Sequence, residues 1–130
     1  GHLASSERLL AARIDALSSF AIIKEEMQKL KDLTDDISFN LHQMQQTKPH
    51  SEKQHEYQQL EAKLQMRRIH ASKLVSEITN TYLEFPEKKQ KALHDKNLFL
   101  KLNQIKRMLE LESLVPNDLE VIQSKLSELI

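Results

Sequence analysis

The chain has 130 residues, of which 29% are charged and 39% hydrophobic, and its 19 basic and 19 acidic residues cancel to a formal net charge of zero. A bulk electrostatic attraction to DNA, RNA or anionic lipid is therefore absent. The sequence has no cysteine, which excludes a disulfide framework and thiolate metal sites, and no apolar run approaches the ~20 residues of a membrane span. No signal peptide is visible, so we expect an intracellular protein, cytoplasmic or nuclear.

Proline and glycine divide the sequence into long helical stretches. The single glycine is Gly1, and the three prolines are Pro49, Pro86 and Pro116. Between the prolines, leucine, isoleucine and methionine recur at alternating steps of three and four, which is the spacing of a coiled-coil seam. We predict an all-α fold, an elongated and coiled-coil-like antiparallel three-helix bundle plus a short fourth C-terminal helix.

Four helices are predicted in chain order, over residues 5–46, 51–84, 86–114 and 118–130. Ser5 or Ser6 would be the N-cap of the first helix, Ser51 that of the second and Asn117 that of the fourth. Short connections make consecutive helices antiparallel neighbours, and the first two turns or so of the first helix should overhang the others. The fourth helix should return along the end where the first helix finishes.

The termini suggest a piece of a larger protein. Gly1 and His2 look like the remnant of a purification tag, and we expect residues 1–4 to be disordered. Residues 5–130 would form one domain, which is large enough for a hydrophobic core.

Regularly spaced apolar residues define the predicted core. In the first helix they are Leu9, Ala16, Phe20, Ile23, Met27, Leu30, Ile37, Leu41 and Met44. In the second helix the predicted seam is Tyr57, Leu60, Leu64, Arg67, Ala71, Leu74, Ile78 and Thr81. The predicted core residues of the third helix are Leu98, Leu102, Ile105 and Leu109, and those of the fourth are Leu119, Ile122, Leu126 and Leu129.

Two helices carry more apolar residues than one core stripe requires. The third helix has a second stripe of Leu93, Leu100 and Leu111, which either reflects a central position in the bundle or binds a partner. The first helix has a second stripe of Leu10, Ile14 and Leu17 in the part expected to overhang. That stripe is covered either by another part of the parent protein or by a partner helix, including a second copy of the chain.

The third helix also carries a basic strip, formed by Lys88, Lys89, Lys96, Lys106 and Arg107, within about a 100° arc of one helical wheel. These side chains could meet an acidic protein surface, a phosphoinositide or nucleic acid. No aromatic residues interleave the lysines for base stacking, so a solvated face is the simpler interpretation.

Catalytic chemistry finds little support in the sequence. Glu52 and His55 have the Glu-x-x-His spacing of di-iron bundles, but no second copy of that pair is found. No Gly-x-Ser-x-Gly turn or glycine-rich phosphate loop occurs. We therefore expect a non-catalytic chain, with no catalytic residues, no cofactor and no metal.

The layout of three long helices resembles spectrin-type repeats, although the buried tryptophan usual in their first helix has no counterpart here. The helix lengths and the Phe85-Pro86-Glu87 corner resemble BAG-type co-chaperone domains, but Lys96 to Leu109 lacks the arginine-rich face that such a resemblance implies. No residue role is carried over from either family.

The first functional hypothesis is therefore a helical protein–protein interaction or scaffold module of a tethering or cytoskeletal-type protein. It would bind partner helices, or form a homodimer, through its surplus apolar faces. The alternative is a charged-surface binder that uses the basic strip, and a BAG-like co-chaperone domain is a more remote one.

Overall fold

The computed structural model describes the backbone from His2 to Ile130 and the side chains from Ser5 onwards. The described chain is all-α and contains no strand. Its helices are α1 (His2–Thr47), α2 (Gln54–Leu83), α3 (Glu87–Ala92), α4 (Leu98–Leu109) and α5 (Pro116–Leu129), with single 3-10 turns at Ser51–Lys53 and His94–Lys96. None of the described helices combines the length and the apolar composition that crossing a bilayer requires.

The first helix is the longest element and forms one wall of the fold. It spans 46 residues and begins at His2, so neither Ser5 nor Ser6 is its N-cap. Ala16 is the first of its residues to be fully buried, and from there the predicted seam is buried down to Met44. Leu9 belongs to the same seam but is exposed, because α1 extends past the helices that cover the rest of it. The nature of residues 1–4 stays a prediction, and Gly1 lies outside the described residues.

The second helix runs antiparallel to α1. The Asn40 side chain, fully buried in this interface, donates from Nδ2 to the Leu60 carbonyl at 2.9 Å and accepts at Oδ1 from Arg67 Nη1 at 2.8 Å. Each polar atom of the buried amide therefore has a partner, and the contact fixes which residues of the two helices lie opposite each other.

The buried face of α2 differs from the predicted one at three heptad steps. Arg68, Val75 and Tyr82 are buried where we had predicted Arg67, Leu74 and Thr81. The shift is one residue at each step, because the face turns towards α4 as well as towards α1. The start of the helix also differs, since Ser51 lies in a separate 3-10 turn and the N-cap of α2 is Lys53.

The predicted third helix is two helices rather than one. α3 ends at Ala92, a 3-10 turn follows, and Asn97 adopts a left-handed backbone with φ of 51° before α4 begins. Asparagine tolerates this region better than most residues, because its short polar side chain offsets the steric cost. Arg13 of α1 holds the break in place, since its guanidinium donates to the carbonyl of Ala92 and to the Asp95 carboxylate.

The last two helices close the core. The predicted apolar faces are confirmed, as the core residues proposed for α4 (Leu98, Leu102, Ile105 and Leu109) and for α5 (Leu119, Ile122, Leu126 and Leu129) are all buried. α5 is antiparallel to α4, because Lys101 pairs with Glu128 at 3.0 Å and Lys125 donates to Gln104 at 3.0 Å.

The N-terminus of α5 is capped two residues earlier than predicted, at Val115 rather than Asn117. The Val115 amide donates to the Asp118 carboxylate at 2.9 Å, and the Asp118 amide donates back to the Val115 carbonyl at 2.9 Å. Asp118 also places a negative charge in the first turn, where the helix dipole favours it.

Candidate helix-docking surface

The N-terminal part of α1 exposes a row of large apolar side chains. Leu10 is 61% exposed, Ile14 57% and Leu17 40%. Ala21, which continues the same row at a spacing of four, is exposed as well. We call these four residues the α1 stripe. Three large aliphatic side chains adjacent on one helix face form a contiguous apolar patch, which is rarer on a monomer than single exposed leucines and often marks an interaction site.

The α1 stripe lies to one side of the core seam. Ile14 and Leu17 are rotated about 100° around the helix axis from the seam defined by Ala16 and Phe20. The neighbouring helix α3 contacts a different side of α1, where Lys89 Nζ lies 3.4 Å from Asp15 Oδ2 and 3.0 Å from Ser19 Oγ. The stripe is therefore left uncovered even though α1 is packed at the same level.

An apolar groove lies between α1 and α3 at the projecting end of the seam. It has a volume of about 490 Å³ and is lined by Leu9, Ala12, Arg13, Lys88, Lys91, Ala92, His94 and Asp95. Leu9 and Ala12 line it from α1, and Lys88, Lys91 and Ala92 line it from α3. The N-terminal part of α1 therefore has two separate apolar surfaces, this groove on the seam side and the α1 stripe about 100° around the helix.

One ion pair anchors the far wall of this groove. Arg13 donates from both terminal nitrogens to the Asp95 carboxylate, Nη1 to Oδ1 at 2.9 Å and Nη2 to Oδ2 at 3.1 Å. The hydrogen bond from Arg13 holds the pKa of Asp95 below its ordinary value, with a further contribution from the positive charge of Lys96. The break between α3 and α4 is thus tied to α1 by a charged contact at the base of the projecting segment.

The second predicted stripe, Leu93, Leu100 and Leu111, does not exist as a surface. Leu93 is fully buried in the core, so its assignment as a partner contact is wrong. The helix break turns Leu93 inwards, whereas Leu100 is 57% exposed on the outer face of α4 and Leu111 lies beyond the end of that helix. Leu100 and Leu111 are exposed individually and are not joined into a patch by helical spacing.

The predicted basic strip is likewise dispersed, because its residues fall on two helices and a turn. Lys89 binds Asp15 and Ser19, and Lys96 Nζ lies 4.7 Å from the centre of the Phe20 ring. Lys106 Nζ donates to Ser76 Oγ at 2.8 Å. Of the five, Lys88 and Arg107 are exposed and the other three are half-buried, and the two exposed residues belong to different helices. The prediction of one continuous basic face is therefore wrong.

One charged side chain among the described residues is buried, and it is Arg68 rather than the Arg67 predicted for the core seam. Arg68 is buried, and it donates from Nε to the Leu109 carbonyl at 2.8 Å and from Nη2 to the Leu111 carbonyl. These carbonyls lie at the C-terminus of α4, where a positive charge is favoured. Burial lowers the pKa of the guanidinium from its ordinary value, but arginine stays charged at any physiological pH.

The register between α2 and α4 predicts that two half-exposed apolar residues lie level with each other. Ser72 donates to Glu110 Oε1 at 2.8 Å, and Lys106 donates to Ser76. One heptad further along each helix, the same antiparallel register places Leu83 level with Phe99, and both are about half exposed. The register between helices, which a single sequence does not reveal, was needed to recognise this pair.

The structure offers no metal site among the residues it describes. No group of three or more histidine, aspartate or glutamate side chains within this part of the chain is arranged to hold an ion. Glu52 lies in the 3-10 turn before α2 and approaches His50, whereas His55 contacts Gln59 on the exposed surface. Glu52 and His55 therefore do not act together.

Comparison of the chain with protein-family models, with curated proteins and with solved structures finds no match. Inferences about function therefore depend on the surface itself.

Proposed function

We propose that the chain is a non-catalytic helical interaction module, an elongated antiparallel bundle of α1, α2 and the α3–α4 segment, with α5 as a short fourth helix. In this proposal the bundle is the scaffold, and the α1 stripe binds a helix of another protein molecule. The absence of cysteine is compatible with a reducing intracellular compartment.

The observation that carries the proposal is the exposure of Leu10, Ile14 and Leu17 on one face of α1, beside a core seam that is buried from Ala16 onwards. Burying the exposed half of each side chain contributes about 1 kcal/mol or somewhat more, and therefore about 3–5 kcal/mol for the three together. Association costs at least about 4 kcal/mol in lost translational and rotational freedom. The partner must therefore bring apolar residues of its own, as a helix with a matching stripe does.

Helical spacing also determines the shape of the partner. The α1 stripe is narrow and straight, one residue wide at alternating steps of three and four, and it spans about 17 Å from Leu10 to Ala21. An amphipathic helix packs into such a row through residues at the same spacing, whereas a strand or a loop matches it poorly. Charged-surface binding is the weaker proposal, because three of the five basic residues already have partners within the fold.

A photo-crosslinking amino acid at Ile14 tests the proposal in cells. We expect crosslinks from this position to a small number of proteins, reduced at least about tenfold by Leu17→Glu, which would place a charge in the apolar contact. Phe39 is the matched control, since it is a similarly exposed apolar residue of α1 about 38 Å away along the helix. The same crosslinked products from Ile14 and Phe39, or products insensitive to Leu17→Glu, would overturn the proposal.

A further inference from the structure

The α1 stripe has defined ends, and both are charged. Read along the same line of the helix, with alternating steps of three and four, the residues are Glu7, Leu10, Ile14, Leu17, Ala21 and Lys24. Glu7 and Lys24 are exposed, as are the four residues of the α1 stripe that lie between them on this line. The apolar face is therefore four residues long, with an acidic residue at the N-terminal end and a basic residue at the C-terminal end.

Further along α1, the line of the stripe meets another helix at one exposed residue. Asp35 follows Ile14 by 21 positions, which is three heptads, and so lies on the same line of α1. Gln123 of α5 donates to Asp35 Oδ1 at 2.5 Å. α5 runs towards the N-terminal end of α1 and stops at Leu129. α5 packs over the core seam, where Gln123 also donates to the buried Thr34 Oγ1 at 3.4 Å, and it ends before it reaches the α1 stripe.

The order of residues in the α1 stripe is self-complementary when it is reversed. In an antiparallel pair of identical helices centred between Ile14 and Leu17, Ile14 lies opposite Leu17 and Leu10 lies opposite Ala21. The next layer outwards sets Glu7 opposite Lys24. Each large side chain at the edge of the patch meets the small one, and each acid meets a base. These pairs occur twice, because a two-fold axis relates the two copies.

We propose that the occupant of the α1 stripe is a second copy of this chain, which packs its own α1 antiparallel against the first. The proposal rests on the proposed function and specifies its partner. A parallel pair is disfavoured, because it would place Glu7 against Glu7 and Lys24 against Lys24. Access for the second helix is open, since α3 contacts α1 at Asp15 and Ser19, about 100° or more away from the stripe.

Sedimentation of the purified chain at concentrations from about 1 to 300 µM tests the proposal, and we expect a monomer–dimer equilibrium in this range. Glu7→Lys alone and Lys24→Glu alone should each weaken the dimer about tenfold, or about 1.4 kcal/mol, because two attractions become two repulsions. An equimolar mixture of the two variants should restore wild-type affinity, since every opposed pair is again of opposite charge. The control reversals, Glu61→Lys and Lys63→Glu on the exposed face of α2, should change nothing.

Three outcomes overturn the proposal. In the first, the chain is a monomer at every concentration. In the second, Glu7→Lys and Lys24→Glu weaken association no more than the control reversals do. In the third, the mixture of the two variants associates no more tightly than either variant alone. The proposed function is judged separately by the crosslinks from Ile14. A monomeric chain that still crosslinks from Ile14 to other proteins, with crosslinks that Leu17→Glu reduces, refutes the homodimer alone. A chain that forms no crosslinks of this kind refutes the docking function as well.

Discussion

Replacing Arg68 with methionine should destabilise the fold more than any other single change of a charged residue to methionine. The variant keeps the apolar volume of the side chain but removes the donors to the carbonyls of Leu109 and Leu111. Hydrogen bonds from a charged donor each contribute about 1.5–3 kcal/mol. The Leu111 carbonyl lies near the surface and can recover part of this from water, so we expect a loss of about 2–4 kcal/mol in the free energy of unfolding.

Urea unfolding followed by far-UV circular dichroism measures this loss, and the thermal midpoint should fall by about 10 °C for a domain of this size. Arg107→Met is the matched control, because Arg107 is an exposed residue of the helix that Arg68 caps. Its effect should stay within about 0.5 kcal/mol. Equal unfolding midpoints for the two variants would refute the assignment of Arg68 as the cap of α4.

Three further predictions test the helix break and its surroundings. Asn97→Gly should be neutral or slightly stabilising and Asn97→Val should cost about 1–2 kcal/mol, measured by urea unfolding, because only the first tolerates the left-handed backbone; equal effects would place the break elsewhere. Leu93→Ala should cost about 2–5 kcal/mol and Leu100→Ala less than about 0.5 kcal/mol, since one is core and the other surface; the reverse order would contradict the observed packing. The pKa of Asp95 is lowered from 3.8 in the fold, so its contribution to stability is present above about pH 4 and is lost as the pH falls through the folded value. Arg13→Gln should remove that part of the pH dependence of unfolding, and an unchanged pH profile would show that the pair does not contribute.

Much of the fold follows from residues that break helices. Pro49, Pro86 and Pro116 lie in or beside three of the four connections between the helices, because proline removes an amide donor and restricts the residue before it. Heptad spacing then places the buried faces of α1, α4 and α5 correctly, since an apolar face needs no further information than its period. These features are local in sequence, which is why one sequence suffices to predict them.

The break at Asn97 could not be predicted in this way. No proline or glycine marks it, and Leu93 and Leu100 keep the seven-residue spacing of a continuous helix. The break exists because Leu93 and Leu98 both enter the core and because Arg13 binds the turn from a helix about 80 residues earlier in the chain. Such a contact is a tertiary effect that overrides local helix propensity.

The same reasoning explains how the candidate site differs from its prediction. The α1 stripe depends only on helical spacing and on the length of α1, and Leu10, Ile14 and Leu17 are exposed in the structure. The stripe and the basic strip predicted for one long third helix depended on a continuous helix, so both disappear with the break. The role of Arg68 could not be predicted, because it depends on where α4 ends, and the packing of α2 against α4 sets that position.

Protection of a thiol at position 14 distinguishes a docking surface on the α1 stripe from a solvated helix face. Because the chain has no cysteine, Ile14→Cys supplies a unique thiol. Its rate of alkylation can be compared between a lysate that holds the chain at about 300 µM and purified protein at about 1 µM, with Phe39→Cys as the control. We predict that the thiol at position 14 reacts at least about tenfold more slowly in the lysate, since a bound helix excludes the reagent, and that the thiol at position 39 reacts equally in both. Equal rates for the thiol at position 14 in the two samples would show that no helix docks on the α1 stripe.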